Sequence, residues 1–154
     1  MRRHRRRHDR DGGRLHGRRR LRGSTRLGGF DLDTAIQDHL RRAYDVAIGE
    51  KSAEEIKIAI GSAFPAPRGR AAIVTGRALA TGAPTEIRVT EDEIRQAMSS
   101  PSTRSSRSVR RTIAEAPPEL THDVLEAGMF LTGGGGLLRG STCSCRRSAR
   151  CRCI

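Results

Sequence analysis

The sequence predicts an α/β protein whose ordered middle lies between two disordered basic ends. Three observations predict it. Apolar residues recur at spacings of three and four through 33–47 and 53–60, the period of amphipathic helices. Thr85, Ile87 and Val89 alternate with Glu86 and Arg88, the period of a half-buried strand. Met129–Gly140, MFLTGGGGLLRG, reads as a short strand, a glycine turn and a helix start.

The 154 residues allow one domain or two small lobes. Apolar residues make up 35% and aromatics 3%, so the core is modest. The net charge of +13 divides unevenly: residues 1–27 carry +10, 28–98 carry −2 and 99–154 carry +5. The middle therefore has an ordinary surface, and the ends supply the basic excess. Residues 1–26 show neither period, and repulsion among their arginines predicts a disordered arm. Such an arm binds polyanions unspecifically, with no interleaved aromatics to stack on bases. No apolar run is long enough for a membrane helix, and no apolar stretch follows the basic N-terminus as in a signal peptide.

In chain order, Asp31 and Asp33 stand where a helix start needs acceptors. Ile36, Leu40, Ala43, Tyr44 and Ala47 form the stripe of the first helix, which ends near Gly49. Ser52-Ala53-Glu54-Glu55 reads as a capping box opening a second helix to Ile60, with Ala53, Ile56 and Ile60 inward and Gly61 as its stop. On that helix Glu54 and Lys57 share a strip, and a solvated Glu–Lys pair is the plain reading of both. Ala71–Thr75 and Thr85–Thr90 read as strands. Thr90 and Glu93 form a second capping box before a helix with Ile94, Ala97 and Met98 inward. Residues 99–108, SSPSTRSSRS, read as a linker or a disrupted helix, and Val109 and Ile113 restart a weak helical stripe. Leu120, Val124 and Leu125 mark another short helix, closed by Gly128. Tyr44, Met98 and Met129 are read as core residues.

Two features carry candidate chemistry. The turn Gly133-Gly134-Gly135-Gly136 suits either close approach of a ligand or simple packing, and it matches neither GxGxxG nor the phosphate-loop pattern. Cys143, Cys145, Cys151 and Cys153 form two CxC pairs, a spacing compatible with zinc or with disulfides but shorter than most structural zinc sites use. The cysteine-free remainder suits a reducing compartment.

Five landmarks then stand in order: LGGFDLDTAI at 27–36, IGEKSAEEIKIAIGSAFP at 48–65, VTGRALATGAP at 74–84, APPEL at 116–120 and GMFLTGGGGLLRG at 128–140. Together they resemble MreB, the bacterial rod-shape-determining family of actin homologues, over much of its second half. The resemblance implies a partial actin-like, ribonuclease H-like lobe over 27–140. Residues 48–98 would be its small inserted α+β subdomain, between the arm at 1–26 and a Cys/Arg-rich tail at 141–154.

It implies further that Glu54, Glu55, Ile56 and Lys57 lie beside a nucleoside, and that Thr132 and Gly133, Gly134, Gly135 and Gly136 contact it from the glycine turn. ATP is the implied cofactor, with Mg2+ accompanying it. Implied partners are further copies in filaments, the cell-wall elongation machinery and the inner membrane surface, in a cytoplasmic protein working at that surface. Where the family has Gly-Gly-Asp, this chain has Gly28-Gly29-Phe30, with Asp31 one place later.

The family's first phosphate loop and catalytic acids are expected before residue 27. A second phosphate loop is expected within 1–26, where Asp11-Gly12-Gly13-Arg14 is a faint echo. No residue is therefore assigned a catalytic or metal-binding role, and ATP hydrolysis at a useful rate is not expected, because one glycine turn and one lysine do not position phosphates, metal and water together. The abrupt Ser/Arg text at 99–108 and the Cys/Arg tail also fit a frameshifted remnant, which sequencing the locus for an intact frame would decide. A basic polyanion-binding protein is the remaining alternative.

Overall fold

The computed structural model describes residues 9–13, 21–65 and 69–149. The first elements are β1 (Asp9–Gly13) and β2 (Leu21–Thr25), followed by α1 (Gly29–Tyr44), β3 (Val46–Ala47) and α2 (Glu50–Ile60). Then come β4 (Ala71–Ala78), β5 (Pro84–Thr90), α3 (Glu91–Ala97), α4 (Ser99–Ala114), α5 (Pro118–Ala127) and α6 (Ser141–Ala149), with a 3-10 turn at Gly134–Leu137 before α6. Two antiparallel sheets form, β1-β2 and β3-β4-β5.

One core organises the middle. Ile36 and Leu40 of α1 meet Ala53, Ile56 and Ile60 of α2, Val74 and Val89 of the sheet, and Ile94 and Met98. Six of the large side chains are fully buried: Ile36, Leu40, Ile94, Met98, Val46 and Val89. Area burial of this kind is the main favourable term in folding. The β4-β5 ladder runs from Ala71↔Thr90 to Arg77↔Pro84, which aims Ala72, Val74, Ile87 and Val89 at the helices. Gly76 allows β3 to lie against β4, since a Cβ there would overlap the Val46 side chain and the Ala47 carbonyl.

The Thr90 box forms as its sequence demands. Glu93 N–H donates to Thr90 Oγ1 at 3.4 Å, and Thr90 N–H donates to Glu93 Oε2 at 2.7 Å. Tyr44 Oη donates to Glu93 Oε1 at 2.6 Å, tying α1 to α3. That hydrogen bond, with the Thr90 amide, lowers the Glu93 carboxyl below its usual range.

Other boundaries differ from the sequence expectation. Helix α1 starts at Gly29, earlier than 33, because Asp31 Oδ2 accepts from Gly28 N–H at 2.8 Å. It stops at Tyr44 because Asp45 turns left-handed at φ 52° and β3 begins. Ala43 is accordingly exposed and Tyr44 only half-buried. The Ser52 box does not open α2. The helix begins at Glu50, with Gly49 O accepting from Ala53 N–H at 3.0 Å, because pairing of β3 with β4 delivers the chain three residues earlier.

Residues 99–108 are neither linker nor broken helix. They belong to α4, whose Pro101 sits in the first turn, where its missing N–H costs nothing. Met129–Thr132 forms no multi-residue ladder with the described residues, and Phe130 is exposed. Within the arm expected to be disordered, the described parts pair as β1 and β2, a backbone ladder that needs no apolar period. The tail expected to lack structure supplies α6, on which Cys143 and Cys145 stand two residues apart and so point to different sides. Cys151 and Cys153 lie outside the described residues, as does most of the arginine arm.

Candidate functional site

The site begins where α2 meets the start of α1. Lys57 projects from α2 so that its Nζ lies 2.7 Å from Asp33 Oδ1. It donates to Asp33 Oδ2 at 3.0 Å and reaches Gly29 O at 3.4 Å. The ammonium therefore sits against both oxygens of the Asp33 carboxylate, a close charge-assisted pair. The two side chains are only 14% and 12% exposed, so solvent screens the pair weakly. Burial pushes the Asp33 carboxyl above its ordinary value of 3.8, while the Lys57 hydrogen bond and charge oppose that rise and Glu54 and Glu50 add to it.

Lys57 is therefore not the solvated partner of Glu54 that helix spacing suggests. Its partner is Asp33, 24 residues away in the chain and legible in sequence only as a cap candidate. Glu54 and Glu55 are exposed, and Glu55 makes a loose surface pair with Lys51 at 3.9 Å. Ile56 points into the core at 6% exposure.

The glycine turn joins the same unit through the end of α2. Ser62 bridges Arg139 in parallel, Ala63 N–H donates to Arg139 O at 2.7 Å, and Ser62 Oγ donates to the same oxygen at 3.3 Å. Arg139 Nη1 lies 3.5 Å from Glu91 Oε1, a buried carboxylate at the start of α3. Leu138 packs on the core. Inside the turn, Gly136 N–H donates to Gly133 O at 3.0 Å, and Ser141 Oγ donates to Gly135 O at 3.0 Å.

The two readings of this turn divide along its length. Gly136 through Arg139 is anchored to the fold, with a Cβ at Gly136 already meeting Leu131 O at 3.4 Å. Gly133, Gly134 and Gly135 are exposed, with nothing within 4 Å of where a Cβ would stand. Gly133 takes φ +85°, a conformation that favours glycine. A flat ligand can approach this backbone without meeting side chains. Among the described residues, no hydrogen bond or ion pair links Glu54, Glu55, Ile56 or Lys57 to the four glycines. The structure brings the two groups to one framework but not into contact.

The described residues suit part of a nucleotide. The bare glycine backbone accepts close approach, and Lys57 sets a cation, held by Asp33, at the start of α1. Among the described residues no three His, Cys, Asp or Glu side chains gather, and Mg2+ that accompanies a nucleotide takes most of its ligands from phosphates and water.

This arrangement of two helices over a small sheet, coupled to an anchored glycine turn, is one part of an actin-like fold. A family model described as MreB/Mbl protein matches residues 20–149, and the chain belongs to that family. It is 45% identical to the cell shape-determining protein MreB of Escherichia coli strain K12, over 75% of this chain and 33% of that protein. To the cell shape-determining protein Mbl of Bacillus subtilis strain 168 it is 32% identical, over 76% of this chain and 35% of the relative. The chain thus spans about a third of the length of these relatives. Among solved structures, ADP-bound MreB5 of Spiroplasma citri superposes with a TM-score of 0.84 at 28% identity, covering 87% of this chain and 41% of that one. The MamK double helical filament matches at a TM-score of 0.69 and 18% identity, a likeness of fold.

Proposed function

We propose that this chain is the adenine-nucleotide-facing portion of an MreB-type cell shape-determining cytoskeletal protein. The observation that carries the reading is the likeness to ADP-bound MreB5 of Spiroplasma citri, at a TM-score of 0.84 and 28% identity. In this reading the nucleoside lies between α2, on the side of exposed Glu54 and the mostly buried Lys57–Asp33 pair, and the open backbone of Gly133–Gly135. Lys57 holds its position through Asp33 and Gly29, so the cation is set before the ligand arrives.

Hydrolysis is not part of the proposal, because one glycine turn and one lysine do not position phosphates, metal and water together. Filament assembly, contact with the wall-elongation machinery and residence at the inner face of the membrane belong to the whole-protein role. They are proposed only for a chain that meets the rest of its fold. No described helix is long and apolar enough to cross a membrane.

Calorimetric titration of the purified chain with ADP tests the reading. The expected result is saturable one-to-one heat that survives an increase in salt, since a shaped pocket depends on screening less than an arginine arm does. Heat that collapses with salt in parallel with heat from a DNA duplex would assign the binding to the basic ends instead.

A further inference from the structure

Four successive glycines have no side chains to pack, and each loses more backbone freedom on ordering than any other residue. A turn of this composition keeps one position only where its neighbours hold it. The holding groups gather at Leu138–Gly140. Leu138 packs on the core. The Arg139 carbonyl accepts from Ala63 N–H at 2.7 Å and from Ser62 Oγ at 3.3 Å. Gly140, at φ +74°, lies so close to Phe64 that a Cβ on it would stand 2.7 Å from the Phe64 Cβ.

The Arg139 side chain adds a second tie in another direction. Its Nη1 lies 3.5 Å from Glu91 Oε1, and Glu91 is 2% exposed where β5 passes into α3. That carboxylate is itself fixed. Its Oε2 accepts from Arg70 N–H at 3.1 Å, and Glu91 N–H donates to Arg70 O at 2.7 Å. Residue 70 leads directly into β4, so both strands of the ladder set where the carboxylate stands. A buried carboxylate attracts a guanidinium more strongly than a solvated one. Asp92, the next acid along, instead faces solvent and pairs with Arg95 at 2.9 Å.

From Arg139 the tie runs back into the turn within a few residues. Gly135 O accepts from Leu138 N–H at 3.3 Å and from Ser141 Oγ at 3.0 Å, and Gly133 O accepts from Gly136 N–H at 3.0 Å. Fixing residues 138–141 therefore fixes 133–136. We infer that Glu91 and Arg139 are positioning residues for the nucleotide-facing turn, carrying the placement of the β4–β5 sheet to Gly133–Gly135 without touching the ligand. This rests on the nucleotide reading of the turn given above. A turn that holds its competent position only about a tenth of the time binds about tenfold more weakly.

Two measurements on the full chain test it: ADP affinity by calorimetry, and amide hydrogen exchange without nucleotide at Gly136 and Leu138, with Leu40 as the core reference. The variants are Glu91→Gln, Arg139→Lys and Asp92→Asn. Glu91→Gln keeps an acceptor for the Arg70 amide and turns its NH2 toward the guanidinium, removing the attraction at almost constant volume. It should weaken ADP binding about tenfold and speed exchange at Gly136 and Leu138 about tenfold, with Leu40 unchanged. Arg139→Lys should show the same pattern at smaller size, because lysine keeps the charge and loses the fork. Asp92→Asn should match wild type in both measurements. Wild-type exchange at Gly136 and Leu138 in Glu91→Gln would overturn the inference. So would equal acceleration at Leu40, which marks general loss of stability, or faster exchange with unchanged ADP affinity. Should Glu91→Gln fail to fold, Arg139→Lys decides by the same comparison. Should ADP not bind the wild type, the nucleotide reading fails, while exchange at Gly136 and Leu138 still decides whether Glu91 and Arg139 position the turn.

Discussion

Lys57→Met lowers the unfolding free energy at pH 7 by about 3 kcal/mol, because it strands the mostly buried carboxylate of Asp33 without its cation. The pH dependence follows from the direction of the Asp33 shift. Its carboxyl is raised above 3.8, so the folded chain holds this proton more tightly than the unfolded chain does. The corresponding stability is present below the unfolded value and lost as pH rises through the folded one. Removing Lys57 removes the influences that lower the Asp33 value, so the loss extends to higher pH. The deficit of Lys57→Met should be largest at neutral pH and small in acid. Asp33→Asn/Lys57→Met should recover most of it, because neither charge is then buried alone. Urea unfolding at pH 7 and in acid measures both. A deficit within the roughly 0–1 kcal/mol of an exposed pair would show that the contact does not join α1 to α2.

Leu40→Ala destabilises the fold by about 3 kcal/mol through lost transfer energy and a residual cavity. Leu40 is fully buried in the cluster formed by Ile36, Ile56, Val74, Val89, Ile94 and Met98. This core is small for the length of chain, so one truncation removes a large share of a stability that is itself modest. In thermal unfolding the midpoint should fall by about 6–12 °C for a protein of this size. Leu125→Ala, at a position 58% exposed, serves as the control and should change stability by under about 1 kcal/mol. Equal effects at the two positions would mean that α1 is not held by its apolar stripe.

Elements with a strong local signal were legible in the sequence. The stripe Ile36–Leu40, the inward Ile56 and Ile60, the alternation of Ile87 and Val89 and the Thr90–Glu93 box all state their geometry within a few residues. The actin-like relationship was legible from ordered landmarks. What was not legible depends on distant partners. Asp33 looked like a cap because its cation stands 24 residues away. Ser52 looked like a cap because nothing local shows that β3 starts α2 at Glu50. The Ser/Arg run at 99–108 looked unfit for a helix because its interior is polar. Yet arginine is a good helix former, and α4 is supported by contacts with α6 and β2. Ser62 gave no signal at all. Its role comes from the parallel bridge to Arg139, 77 residues later.

The central claim is that α2, the start of α1 and the open glycine turn form one nucleotide-facing surface. Amide chemical-shift mapping of the full chain titrated with ADP tests it most directly. The predicted result is saturable perturbation concentrated at Gly28–Asp33, Glu54–Lys57 and Thr132–Leu137. Perturbation confined to α4, α6 or the arginine arm, or no saturable change at the glycine turn, would contradict it.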